Sequence, residues 1–152
     1  MPKILTFVIA LIAATISMAL SAPAYDEAAV ARIHAGIVDC PSCNLQSADL
    51  TNTCVKAKNL TGANFDGAKA VLMCMSYANF SRATFRGTDL SGANLAHAIL
   101  DDADLTGAVM AITSLKGTDL THVKGLDQKQ LDQACGDAGT KVPTGMKVHF
   151  CS

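Results

Sequence analysis

"SYANFSRATFRGTDLSGANLAHAILDDADL", residues 76–105, places a large apolar residue at every fifth position: Phe80, Phe85, Leu90, Leu95, Leu100 and Leu105. On an α-helix five residues advance by about 140°, so these side chains would wind around the axis instead of forming one buried stripe. On a flat strand, where faces alternate with period two, an odd spacing sends successive members to opposite sides. A chain that turns a corner every five residues avoids both problems, because every fifth side chain can then point at one central axis.

The pattern runs without insertion or deletion from Leu45 to Leu120, sixteen units, with Leu at nine centres and Phe at Phe65, Phe80 and Phe85. Val55, Met75 and Met110 are milder substitutions, and Ala70 alone is small. Two residues before each centre stands Ala in nine units and Thr in four, which predicts a second, tighter interior position. Asn or Asp immediately precedes the centre in nine units, among them Asn64, Asn79, Asp89, Asn94 and Asp104. Such side chains bond local backbone in turns. Gly62, Gly67, Gly87, Gly92, Gly107 and Gly117 mark tight corners.

The units "TGANF", "SGANL", "DDADL" and "KGTDL" resemble the A(D/N)Lxx units of pentapeptide-repeat proteins. The resemblance covers residues 41–122 and implies an all-β fold, a right-handed quadrilateral β-helix in which four units make one coil. Sixteen units then give about four coils and a rod roughly 19 Å long at ~4.8 Å per rung. Lys58 and Met73 are too large for the small inner position and Ala70 too small for a centre, which predicts distortion in the first two coils.

Residues 1–24, "MPKILTFVIALIAATISMALSAPA", read as a secretory signal peptide: Lys3, an apolar run, then Ala22-Pro23-Ala24. Cleavage leaves no stable membrane span and eleven basic against thirteen acidic residues. That near-neutral balance gives no attraction to nucleic acid or to anionic membrane. The chain is therefore expected in the periplasm or outside a bacterial cell. Residues 25–40 contain a short helix over 26–37 suited to cap the first coil, residues 41–122 form the repeat, and residues 123–152 form a second cap with a helix over 127–135.

All six cysteines, Cys40, Cys43, Cys54, Cys74, Cys135 and Cys151, follow the signal segment, as expected of disulfides in an exported chain. With a twenty-residue coil, as the resemblance implies, Cys54 and Cys74 are stacked neighbours within reach of an S–S bond. Cys135 and Cys151 bracket the carboxyl-terminal tail, and Cys40 and Cys43 remain as "CPSC". That motif opens a repeat coil without a thioredoxin-like strand and helix, so a structural disulfide is favoured over a redox site.

Stacking by twenty also aligns Arg82, Asp102 and His122 at one corner, Asp66 with Arg86 at another, and Tyr77 under His97. Asp102 with His122 offers half of an acid–base or metal site, and Asp101, Asp102 and Asp104 form an acidic group. No nucleophile or further ligand joins either, so no catalytic residue, metal or cofactor is expected, and solvated corners account for both. Val71, Leu72, Val109, Ala111 and Ile112 fall at outward or corner positions of one side and form a candidate apolar surface. It suits cover by the amino-terminal helix, a homodimer contact or an unidentified protein partner. The leading reading is a non-catalytic exported scaffold or binding protein. The alternatives are a thiol–disulfide protein acting through "CPSC" and, from the resemblance, a DNA-mimicking protein that protects gyrase, for which the chain lacks an acidic surface.

Overall fold

The computed structural model describes residues 25–36 and 39–152, so the expected signal peptide, residues 1–24, lies outside the described residues. From Cys40 to Val123 the chain makes a β-turn every five residues. Each turn is closed by an N–H donated to the carbonyl three residues back, as from Ala48 to Leu45 (3.1 Å) and Ala93 to Leu90 (2.9 Å). In every turn but the last, Leu120–Val123, the third residue has positive φ, from Ser42 (57°) through Gly62 (69°) and Leu72 (56°) to Gly117 (65°). That conformation favours glycine and tolerates Asn and Asp. Here it also holds Leu72, Tyr77, His97 and Ile112.

Four turns return the chain to its starting edge. Parallel bridges join residues twenty apart in four ladders: Asn44–Asn64–Thr84–Asp104–Lys124, Asp49–Lys69–Asp89–Val109, Cys54–Cys74–Asn94–Ser114, and Asn59–Asn79–Ile99. Backbone bonds run both ways between neighbouring rungs. For example, the Leu45 N–H donates to Asn64 O (2.7 Å) and the Asn64 N–H donates to Cys43 O (2.9 Å). The sides are single bridges, too short to count as extended strands, and the result is an all-β solenoid.

All sixteen centres lie inside at 0–1% exposure. Each such burial contributes about 1.5–3 kcal/mol for a Leu or Phe side chain. Phe65, Phe80 and Phe85 pack as a group, with Phe65 stacked on Phe85 at 4.8 Å and Phe80 edge-on to both. The inner position two residues earlier tolerates Thr because its hydroxyl finds a carbonyl. Thr88 donates to Phe65 O (2.6 Å), Thr113 to Leu90 O (2.8 Å) and Thr118 to Leu95 O (2.8 Å).

The expected distortion of the first coils is absent. Bridges continue unbroken through Cys54–Cys74 and Lys69–Asp89. Ala70 and Met73 flank one turn (3.2 Å) and are both fully buried, the long Met side chain adding the volume that the small centre lacks. Lys58 is only half-buried while its N–H still closes the Val55 turn (3.1 Å), so the misfit stays outside the core.

Helix α1, Glu27–His34, starts at Asp26, whose carboxylate accepts from the Ala28 and Ala29 N–H groups, and it buries Ala29 and Ile33 in the core. The Asp26 N–H donates to Asn44 O (2.9 Å). Helix α2, Gln128–Gln133, starts with an Asp127–Gln130 capping box. Leu131 and Ala134 are buried, and Gln130 Nε2 donates to Leu105 O (2.7 Å) and Ala108 O (3.0 Å). The helix stops short of residue 135 because Cys135 joins the ladder: its N–H donates to Thr113 O (2.9 Å) and its carbonyl accepts from Leu115 N–H (2.7 Å).

Candidate functional site

Corner geometry decides which apolar side chains leave the core. The third turn residue has its side chain outside the coil, so a large apolar residue there cannot be buried by its own rung. Ile112 is 82% and Leu72 58% exposed; Val109 is also exposed, whereas Val71 and Ala111 are half-buried. Leu72 and Ile112 stand two rungs apart on one corner with Gly92 between them. A Cβ on Gly92 would come within 2.6 Å of Leu72 Cδ2, so the glycine leaves room for Leu72 to lean along the axis. His97 leans over Gly117 in the same way at the next corner.

The carboxyl-terminal tail extends the apolar corner. Cys135 and Cys151 are bonded (S–S 2.01 Å), and the bridge between Gly136 and Phe150 lays the last residues along the final rung. Phe150, 67% exposed, thereby lines a shallow depression with Ile112, Gln133, His149 and the disulfide. Sequence reasoning missed Phe150. Its one signal was adjacency to Cys151, which places it beside whatever Cys135 touches.

The side between the Leu72/Ile112 corner and the Tyr77/His97 corner carries the outward ladder Cys54, Cys74, Asn94, Ser114. Tyr77 and His97 stack at 4.9 Å and 20°, with Lys56 Nζ 5.9 Å from the tyrosine ring. Lys56, Ala96 and Lys116 on the same side add no acidic group, and Ser76 beside them is buried.

A family model described as pentapeptide repeats (8 copies) matches residues 43–71, 74–111 and 88–124. The chain belongs to the pentapeptide-repeat family. Among solved structures it is similar to HetL, a pentapeptide repeat protein involved in heterocyst differentiation regulation from the cyanobacterium Nostoc, with 25% identity and a TM-score of 0.55 over 66% of this chain and 49% of that one. It thus spans about half the length of HetL. A pentapeptide repeat protein from Nostoc, alr5209, matches at 24% identity and TM-score 0.42 over 79% of this chain and 98% of that one. One from the thylakoid lumen of Arabidopsis thaliana matches at 31% identity and TM-score 0.28, over 64% and 77% respectively. No curated protein sequence matches significantly.

Within this pentapeptide-repeat framework the expected cysteine pairs meet, but only one is a bond. Cys54 and Cys74 are bridge partners and remain thiols, as do Cys40 and Cys43. Burial, with a hydrogen bond to Cys40, pushes the Cys43 thiol well up, and Cys40 is itself buried. A reactive cysteine needs an accessible thiolate, so "CPSC" is poorly suited to redox chemistry. On the outer ladder the neighbouring Cys74 side chain above all lowers the Cys54 thiol, while burial above all raises Cys74.

The charged corners pair differently from the expected alignment. Arg86 Nε donates to Asp104 Oδ2 at 2.6 Å, whereas Asp66 Oδ1 accepts the Arg86 backbone N–H at 3.0 Å. Asp66 is already committed to backbone, and the long arginine leans towards the following rung as Leu72 does. Among the described residues the other ion pair is Lys141 with Asp119 (3.0 Å). His122 Nδ1 lies 3.4 Å from Thr121 Oγ1, and Asp102 and His122 form no ion pair. Among the described residues no three His, Cys, Asp or Glu side chains are grouped to hold a metal, and no helix is long and apolar enough to cross a membrane.

Proposed function

We propose that this pentapeptide-repeat protein is a non-catalytic scaffold or binding protein, exported to the periplasm or beyond after loss of residues 1–24. Its right-handed solenoid of about four coils is closed by α1 at one end and by α2 with the disulfide-tied tail at the other. The partner is a protein, received on the corner that carries Val71, Leu72, Val109, Ala111 and Ile112. In an oxidising compartment Cys40 with Cys43, and Cys54 with Cys74, close as disulfides. The observation that carries the binding role is Ile112, 82% exposed, on the same corner as the exposed Leu72 two rungs away. Exposed apolar groups of this kind, rimmed by polar residues, mark interaction surfaces.

A periplasmic pull-down with wild type and with the Leu72→Lys/Ile112→Lys double variant tests it. Partners retained by wild type and lost by a folded double variant support the reading. Equal capture by both would overturn the assignment of this corner. Amino-terminal sequencing of the native product tests export, with cleavage expected after Ala22 or Ala24 and an intact Met1 or Pro2 contradicting it.

A further inference from the structure

Adjacent rungs bring two thiols together on an accessible side. Cys54 and Cys74 are parallel bridge partners, Cys54 is exposed and Cys74 is half-buried. Each residue immediately precedes a buried centre, Val55 or Met75, so both side chains leave the coil in the same direction. The side around them carries Lys56 and no acidic residue, an environment that favours a thiolate. The two are unequal: Cys54 is open to solvent and Cys74 is sheltered.

We propose that Cys54 and Cys74 form a reactive dithiol that reduces accessible disulfides, Cys54 attacking and Cys74 resolving. The Cys54 thiolate attacks one sulfur of a substrate disulfide RSSR. A mixed disulfide Cys54–S–S–R forms and RS⁻ leaves, to be protonated by water. Cys74 then gives up its proton and attacks Cys54 Sγ, the Cys54–SR bond breaks, and the second R group leaves as a thiol. The protein dithiol and RSSR become a protein disulfide and two RSH; the dithiol is oxidised and the substrate reduced, with two electrons transferred. The fitting substrate is a small or exposed disulfide, because the attacking Cys54 itself stands exposed on the outer face. The inference rests on the same pairing as the disulfide above but not on export.

Purified protein, reduced and freed of reductant, is treated with oxidised glutathione and followed by intact-mass and peptide mass spectrometry. Wild type should pass to an intramolecular Cys54–Cys74 disulfide with little adduct. Cys74→Ser should stop at a glutathione adduct on Cys54, and Cys54→Ser should react at Cys74 at least tenfold more slowly. Circular dichroism confirms that both surface variants keep the fold. Equal rates for the two variants, an adduct that accumulates on wild type without closing, or first oxidation at Cys40 and Cys43 would each overturn the assignment. Failure of the pull-down leaves this result unaffected, since reactivity is read on the isolated protein.

Discussion

Phe85→Ala should be among the most damaging single changes in the repeat. The side chain is fully buried, stacked on Phe65 at 4.8 Å and edge-on to Phe80 at 5.4 Å. Truncating a buried Phe costs about 3–5 kcal/mol in lost transfer energy and residual cavity. Phe85→Leu keeps most of the apolar volume and loses two ring pairs of about 0.5–1.5 kcal/mol each, so it should cost about 1–3 kcal/mol. The rungs on either side are held by backbone ladders and cannot collapse into the space, which argues for the upper half of the alanine range. Urea titration followed by circular dichroism and by hydrogen exchange reads both values, and coincidence of the two probes checks that the solenoid unfolds as one unit. A cost below about 1 kcal/mol for Phe85→Ala, or equal costs for Ala and Leu, would refute the inward assignment of the centres.

Acid should weaken the fold through Asp104. The Thr106 hydroxyl above all, with the Thr106 N–H and Arg86, outweighs partial burial and holds this carboxyl at about 2. An unfolded chain takes up the proton first, so the contribution is present above about pH 4 and lost as pH falls towards about 2. Asp104→Asn should therefore flatten the stability profile in that window without abolishing its slope, because Asp119 is likewise held at about 2 by Thr121 and Lys141; parallel urea titrations at several pH values check this. Cys151→Ser should cost about 3 kcal/mol, a model-dependent figure for a short closed loop, and should open residues 136–152 to limited proteolysis before the repeat. Thr118→Val removes a hydroxyl that donates to Leu95 O (2.8 Å); thermal unfolding should show a loss of about 0.5–1.5 kcal/mol, the usual net worth of such a bond.

The five-residue period made the interior legible, because one geometric requirement acts on every unit and outliers are visible against it. The consequences of those outliers were less legible. Ala70 and Met73 each break the pattern alone, yet they flank one turn and compensate in volume, a relation that appears only when both positions are seen inside. The Arg86–Asp104 pair escaped the sequence because alignment by twenty fixes backbone neighbours, not the direction in which a long side chain leans. Phe150 escaped for a different reason. It lies beyond the periodic region, and its place depends on the Cys135–Cys151 bond and the Gly136 bridge, neither of which has a repeat to set its position. The apolar corner was readable at Leu72 and Ile112, because their place in the unit excludes them from the core. Val71 and Ala111, one position earlier, are half covered by the turn itself.

The central claim is the twenty-residue return of the chain, on which the ladders, the thiol pair and the apolar corner all depend. Asn79 and Ile99 are bridge partners on a side whose native cysteine, Cys40, is buried at the first rung beside Asn59. In a Cys54→Ser/Cys74→Ser background, the Asn79→Cys/Ile99→Cys pair should oxidise to an intramolecular disulfide, whereas Asn79→Cys/Asp89→Cys, half a coil apart, should not. Non-reducing peptide mapping reads the result. Free thiols at 79 and 99, or a bond formed between 79 and 89 instead, would contradict the four-sided coil.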